Sequence, residues 1–347
     1  MTAKSRTALV AILACIWAAP DFGAALSAVP FRRDTNTVPG AKRLPGPSWL
    51  RYSRFAPGTV FDGIVSQNTR SASTTRPGRP GVVPRPVRLN EGHGRGLLVD
   101  VWINGSGPFQ FAVDTGAGTT LMRASAFNRT RLTASGRSRI TVGGLSNTTS
   151  VSGRQTIIDN LAIGDPKNTL PSRHEVIVVD ALPAGLDGIL DPSEAYDPMG
   201  YVIDMPNREM TAFDTTTRRL RAGDEPLGGT VVPWIRQSDK RPFVRLGDNR
   251  LALIDTGSGF GLAVTYDEIV SNRRRIKSVD LSGGAVESRR VAPTTVTIGS
   301  LVLRKIPTDV LVGAHQAAPV ILGREALAPF RLTFDPASRL IEIAPSD

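Results

Sequence analysis

The sequence predicts an all-β protein built as two similar lobes, and three observations predict it. Short runs rich in Val, Ile and Thr alternate with Gly, Pro and Asn, while long amphipathic helical patterns are scarce. The tripeptide Asp-Thr-Gly occurs twice, as Asp114-Thr115-Gly116 and Asp255-Thr256-Gly257, each time at the end of an apolar run. The surroundings of each copy repeat as well, at a period of about 140 residues. Such a period is too long for a solenoid unit. It fits a duplicated domain, each copy roughly 100–120 residues and large enough to bury its own core.

Residues 1–28 read as an export signal: Lys4 and Arg6 give a positive start, Ala8 to Ala19 is apolar, and small residues crowd Gly23 to Ala28. The only cysteine, Cys15, follows Ile12-Leu13-Ala14. That setting resembles a bacterial lipoprotein cleavage box, which would make Cys15 a lipidated first residue. A plain residue of the signal core is the other reading, and both stay open. Either way, the chain beyond the signal has no cysteine for an internal disulfide. No run of 18 or more apolar residues exists, so no ordinary transmembrane helix is expected.

Residues 29–87 read as a basic, Pro/Arg/Ser-rich linker. Of the net charge of +11, residues 1–90 carry +10, from 13 Lys and Arg against 3 Asp and Glu. The basic character therefore belongs to the N-terminal segment and not to the rest. Low hydrophobicity with charge of one sign, as in Arg70 to Pro80, favours disorder. Such a linker suits an anionic membrane or envelope surface. Nucleic-acid binding would need groove-reading or stacking elements that the segment does not display.

The first lobe is expected over residues 88–220 and the second over 221–347. Phe111-Ala112-Val113 leads into Asp114, and Leu251-Ala252-Leu253-Ile254 into Asp255. Val142-Gly143-Gly144-Leu145 begins 28 residues after the first aspartate, and Ser282-Gly283-Gly284-Ala285 begins 27 after the second. Each Gly-Gly opens into alternating polar and apolar residues, which reads as a hairpin. Each half then closes alike. Asp187-Gly188-Ile189-Leu190 precedes Tyr201 to Arg208, and Val320-Ile321-Leu322-Gly323 precedes Arg331 to Pro336.

A single Asp-Thr-Gly is weak evidence, usually a turn in which Asp and Gly serve backbone needs. Two copies with matching approaches imply that two lobes bring two carboxylates face to face. A pair at one site cannot both ionise cheaply, so one holds a proton while the other accepts one. The pair is a general acid and a general base able to activate water.

On these residues the chain resembles the retropepsin-like aspartic proteases in a two-lobed, single-chain, bacterial form, with pepsin as a distant relative. The likeness covers about residues 88–345. It rests on Phe111 to Thr119, Ile254 to Gly259, the flap-like Val142-Gly143-Gly144-Leu145, and Ile321-Leu322-Gly323; Ile103 to Phe109 is similar to bacterial members. The resemblance implies the acid-protease fold, two β-barrel lobes with a cleft between them. It implies that Asp114 and Asp255 are the catalytic dyad, holding one water. Thr115 and Thr256 would hydrogen-bond across the pseudo-twofold axis, and Gly116 and Gly257 would let backbone N–H groups orient the carboxylates. Gly143, Gly144, Gly283 and Gly284 would form substrate-covering flaps. No metal or other cofactor is implied, the partner is a protein or peptide substrate, and one chain suffices as a monomer. With the signal, the expected place is the periplasm or cell envelope.

Three departures from the family pattern stand out. Asp191-Pro192 occupies the place of a Gly after Ile189-Leu190. A slightly bulged loop is expected to turn Asp191 to solvent; a carboxylate turned inward would perturb the dyad. Neither flap holds a Tyr or Trp, which fits retropepsins and not pepsin. Phe260-Gly261 replaces a small, hydroxyl-rich stretch and is expected to reshape a substrate pocket.

Other chemistries lack their marks. His93, His174 and His315 are far apart, with no metal-ligand spacing. There is no Gly-x-Ser-x-Gly elbow, and the Gly-rich stretch at His93 lacks a P-loop Lys. Two function classes remain: an exported aspartic endopeptidase, and a fold relic, impaired by Asp191, that binds peptides in its cleft.

Overall fold

The computed structural model describes Ile12–Leu13 and residues 82–346, apart from 93–95, 131, 133–138, 146–149, 172, 238–239, 266–274, 281–284, 313 and 315–317. Among these residues strands dominate, and helix is confined to three short pieces, Ala124–Arg129, Pro192–Ala195 and Arg324–Leu327.

The first half is founded on the hairpin of strands Gly96–Ile103 and Ser106–Val113. Its turn is Asn104-Gly105, and both residues have positive φ, 48° and 81°. That backbone matches the twist of the strands it joins, and Asn-Gly tolerates it best. Period-two alternation then sorts the side chains. Val99, Val101, Ile103, Phe109, Phe111 and Val113 enter the main core. Leu98 and Ala112, from the other face, join Leu121, Val142, Ile177 and Ile189 in a second cluster. Both faces of the hairpin are therefore buried, which is why Phe111-Ala112-Val113 reads as an unbroken apolar run.

Gly188–Leu190 inserts beside this hairpin, parallel to Ser106–Val113 and antiparallel to Thr120–Arg123. Beyond lie His174–Val179, Ser150–Ile158 and Arg139–Gly143. The second half follows the same order and the same strand senses. Val320–Gly323 inserts parallel to Leu251–Asp255 and antiparallel to Leu262–Thr265, followed by Thr308–Val312, Ala285–Arg290 and Arg275–Asp280. Ile12–Leu13 pairs in parallel with the last of these. In both halves, then, an inserted parallel strand fixes the end of the strand that delivers the aspartate.

A six-stranded sheet joins the halves. Its order is Thr230–Pro233, Leu340–Pro345, Phe330–Asp335, Gly200–Asp204, Glu209–Phe213 and Val87–Arg88. The central pairing, Tyr201 opposite Phe334 to Asp204 opposite Arg331, brings the closing strands of the two halves together. Tyr201 stacks on Phe334 at 4.6 Å between ring centroids, with Trp234 edge-on to Phe334 at 5.9 Å. Such aromatic packing adds to the area it buries and holds the halves in one register.

Candidate active site

Each aspartate stands where its strand runs out. The Asp114 N–H donates to the Leu190 carbonyl at 3.0 Å, the last rung of the inserted strand. Asp255 is in register with Gly323. Past each aspartate the chain turns tightly enough to aim an N–H back at the carboxyl. Gly116 N donates to Asp114 Oδ1 at 2.8 Å, and Ser258 N to Asp255 Oδ1 at 2.8 Å. The Oδ2 atoms receive no hydrogen bond from any other group among the described residues. The two carboxyls instead lie within hydrogen-bonding reach of each other. Asp114 is 1% exposed and Asp255 is fully buried.

The two threonines lock the loops together reciprocally. Thr115 Oγ1 donates to the Ile254 carbonyl at 2.6 Å and accepts from Thr256 N at 3.1 Å. Thr256 Oγ1 donates to the Val113 carbonyl at 3.2 Å and accepts from Thr115 N at 3.2 Å. All four bonds are buried, so losing a hydroxyl orphans an N–H and a carbonyl of the opposite loop. Thr115→Val and Thr256→Val are each expected to destabilise by about 1–3 kcal/mol. Because they break one network, the double variant should lose less than the sum, which urea denaturation of the full cycle will measure.

Gly257 is required by close approach. A methyl there would lie 2.3 Å from Asp114 Cγ and Oδ2. Gly257→Ala is therefore expected to push the Asp114 carboxyl out of place and destabilise by about 1–3 kcal/mol. Thermal unfolding, with Gly261→Ala, whose methyl would meet the Pro307 carbonyl at 2.4 Å and neither aspartate, as comparison, checks whether the pH dependence changes only in the former.

Burial, followed by the charge of Asp255, holds Asp114 well above the usual carboxylate range. Asp255 is pushed up to about 6 by burial, against the Ser258 N–H, the Asp114 hydrogen bond and the charge of Arg324. Two carboxyls this close titrate as a pair, which shares one negative charge and one proton once pH passes the lower value of about 6.

Arg324 went unnoticed in the sequence. It is half-buried, directly after Ile321-Leu322-Gly323, and its guanidinium packs against Gly96, where an added Cβ would lie 2.7 Å from Nη1. Its position next to that motif was the available signal, but only the fold shows that its charge reaches both aspartates.

Asp191 corrects an expectation. It does not turn to solvent: it is fully buried. The reason is Pro192, which begins the helical turn Pro192–Ala195 and makes Asp191 its N-cap, with Oδ1 accepting from Ser193 N at 2.9 Å. A side chain turned outward would forfeit that bond. Burial first, then the Glu194 charge, pushes its carboxyl up to about 8. It directly follows Leu190, whose carbonyl accepts from Asp114 N, and its charge is one of those that raise Asp114, so it stands beside that member of the pair.

Of the flap residues, Gly143 ends its strand, Gly144 is buried, and Gly283 and Gly284 lie outside the described residues. Leu145 at the tip is 1% exposed. It packs with Phe243, Leu253, Phe260, Leu311 and Ile321, all from the second half. Phe260 thus lines the apolar surface that the first half's hairpin reaches. Among the described residues no group of His, Cys, Asp or Glu is arranged to hold a metal ion.

Residues 99–190 match the family model described as aspartyl protease. The match runs from the founding hairpin through Asp114 and the Gly143-Gly144 tip to the strand that receives the Asp114 N–H. No curated protein matches the sequence. An aspartate delivered by a buried strand, a Gly-Gly hairpin and an inserted apolar strand all fall within the matched residues, and over this segment the chain is similar to the retropepsin-like aspartic proteases.

Proposed function

We propose that this chain is an exported aspartic endopeptidase that hydrolyses peptide bonds with a water activated between Asp114 and Asp255. The observation that carries the reading is the paired carboxyls: each is held by its own loop N–H, both are buried, and their loops are cross-bonded through Thr115 and Thr256. The ionised carboxylate takes a proton from water as the water oxygen attacks the scissile carbonyl carbon. The protonated carboxyl gives its proton to the carbonyl oxygen. The tetrahedral gem-diol then collapses: the carboxyl that took the water's proton gives it to the leaving nitrogen as the C–N bond breaks, and one hydroxyl returns its proton to the other carboxylate, which restores the pair. Because the pair titrates jointly, these roles belong to the pair and not to named members. Both carboxyls come from one chain, so a monomer suffices.

The start of the chain, with Lys4, Arg6 and the apolar Ala8 to Ala19, supports export to the periplasm or envelope, with Cys15 or the basic linker as the means of staying near a membrane. A protein or peptide would lie extended below the Gly143-Gly144 hairpin. The test is cleavage of denatured casein by the full chain from acid to neutral pH, with and without pepstatin. Cleavage that pepstatin blocks is expected. Folded protein that cuts nothing across this range while still binding pepstatin would sink the hydrolytic reading in favour of peptide binding.

A further inference from the structure

Parallel pairing aligns Leu190 with Val113, and Asp114 N bonds to the Leu190 carbonyl. One step further along both strands stand Asp191 and Asp114. In the second half the same step pairs Gly323 with Asp255. Side chains at such neighbouring positions lie about 5 Å apart at their bases. The halves differ here for a steric reason. A Cβ on Gly323 would lie 2.5 Å from the Phe260 carbonyl and 3.0 Å from that of Ser258, so the second half has no room for a side chain. The first half holds a carboxyl instead, fully buried, with Oδ2 unpartnered among the described residues.

The groups around Asp191 are few. Ser193 N and the Thr120 hydroxyl bond to its side chain and its N–H, respectively. Glu194, on its own helical turn, is tied to Thr119 and to Thr120 N and adds a like charge. Lys240, from the second half and paired with Asp197, adds an opposing one. Tyr201 is near enough to feel the Asp191 charge, its hydroxyl bonded to Ser193.

We propose that Asp191 is a positioning residue of the site: its carboxyl, beside Asp114 and away from water, keeps the dyad's shared proton in place as pH rises above neutrality. The charge that Asp191 acquires on ionising disfavours a second charge on the dyad, and Asp191 is one of the groups that raise Asp114. This extends the hydrolytic reading and rests on it.

The test uses the full chain labelled with 13C at aspartate carboxyls, the dyad signals being identified by their loss in Asp114→Asn and Asp255→Asn. Asp191→Asn keeps the cap acceptor; Asp191→Gly gives the first half the residue that the second has at Gly323. In both variants the dyad's upper titration midpoint should fall, and the ratio of kcat/KM at pH 8 to that at pH 5, on a casein peptide, should drop about three- to tenfold. Midpoints that overlay the wild type overturn the proposal, as does a moved midpoint with an unchanged ratio in an active enzyme. A moved midpoint in a protein that cleaves nothing upholds the coupling and removes the hydrolytic reading instead.

Discussion

Asp114→Asn and Asp255→Asn are each expected to lower kcat for peptide cleavage about a hundred- to ten-thousand-fold, while making the protein more stable at neutral pH. The rate falls because one carboxyl can no longer supply both halves of the proton traffic, the base for water and the acid for the carbonyl oxygen. Stability moves the other way because at neutral pH the wild type must hold a proton on a buried carboxyl that would ionise freely in the unfolded chain. Asn does not titrate and can donate a hydrogen bond to the remaining carboxylate. The loop N–H groups of Gly116 and Ser258 keep an acceptor in either variant. Single-turnover rates beside urea titrations at pH 7 decide the matter. A rate loss matched by a stability loss would mean that the substitutions merely unfold the site, and an unchanged rate would place the activity elsewhere.

Asp191→Asn is expected to stabilise the protein by about 3–5 kcal/mol at pH 8 and by almost nothing at pH 4. The native carboxyl is pushed up to about 8, against an ordinary aspartate near 4 in the unfolded chain. A raised acid favours the fold fully below the unfolded value, and that favour drains away as pH rises toward the folded value. Asparagine, which does not titrate, removes the loss and still caps Pro192–Ala195. Asp255, pushed up to about 6, and Asp114, well above its usual range, act in the same sense. His174 opposes them. It is buried, with Nε2 unpartnered among the described residues, and burial lowers it to about 4. Its contribution is complete above about pH 6.5 and is lost as pH falls toward 4. Glu194 and Asp309 are raised as well, and together the raised acids outweigh the lowered histidine, so the wild type should be more stable at pH 5 than at pH 8. Urea midpoints for wild type and Asp191→Asn across that range read the effect; parallel curves would mean that Asp191 is charged in the fold.

Much of the fold and the candidate site was legible because local rules write it. Asn104-Gly105 demands a tight hairpin, the apolar runs before Asp114 and Asp255 demand strands buried on both faces, and Gly143-Gly144 ends a strand that returns as Ser150–Ile158. The two Asp-Thr-Gly copies carried the rest, and Gly257, just past Asp255, is what lets the Asp114 carboxyl approach that loop. Asp191 was misread for want of one consideration: the proline that follows it is a favoured first residue of a helical turn, and the residue before such a turn bends its side chain inward to cap it.

By itself the sequence determined the strand ends, the turns and the identity of the paired carboxylates, all of them set by residues within a few positions of one another. Only the tertiary structure decided that Thr115 and Thr256 exchange bonds across 141 residues, that Leu145 packs among side chains of the second half, and that Arg324 and Asp191 sit beside the dyad. Turn chemistry and alternation act along the chain. Burial and charge act through space, so a carboxyl's proton is held by whatever the folded sheets place around it.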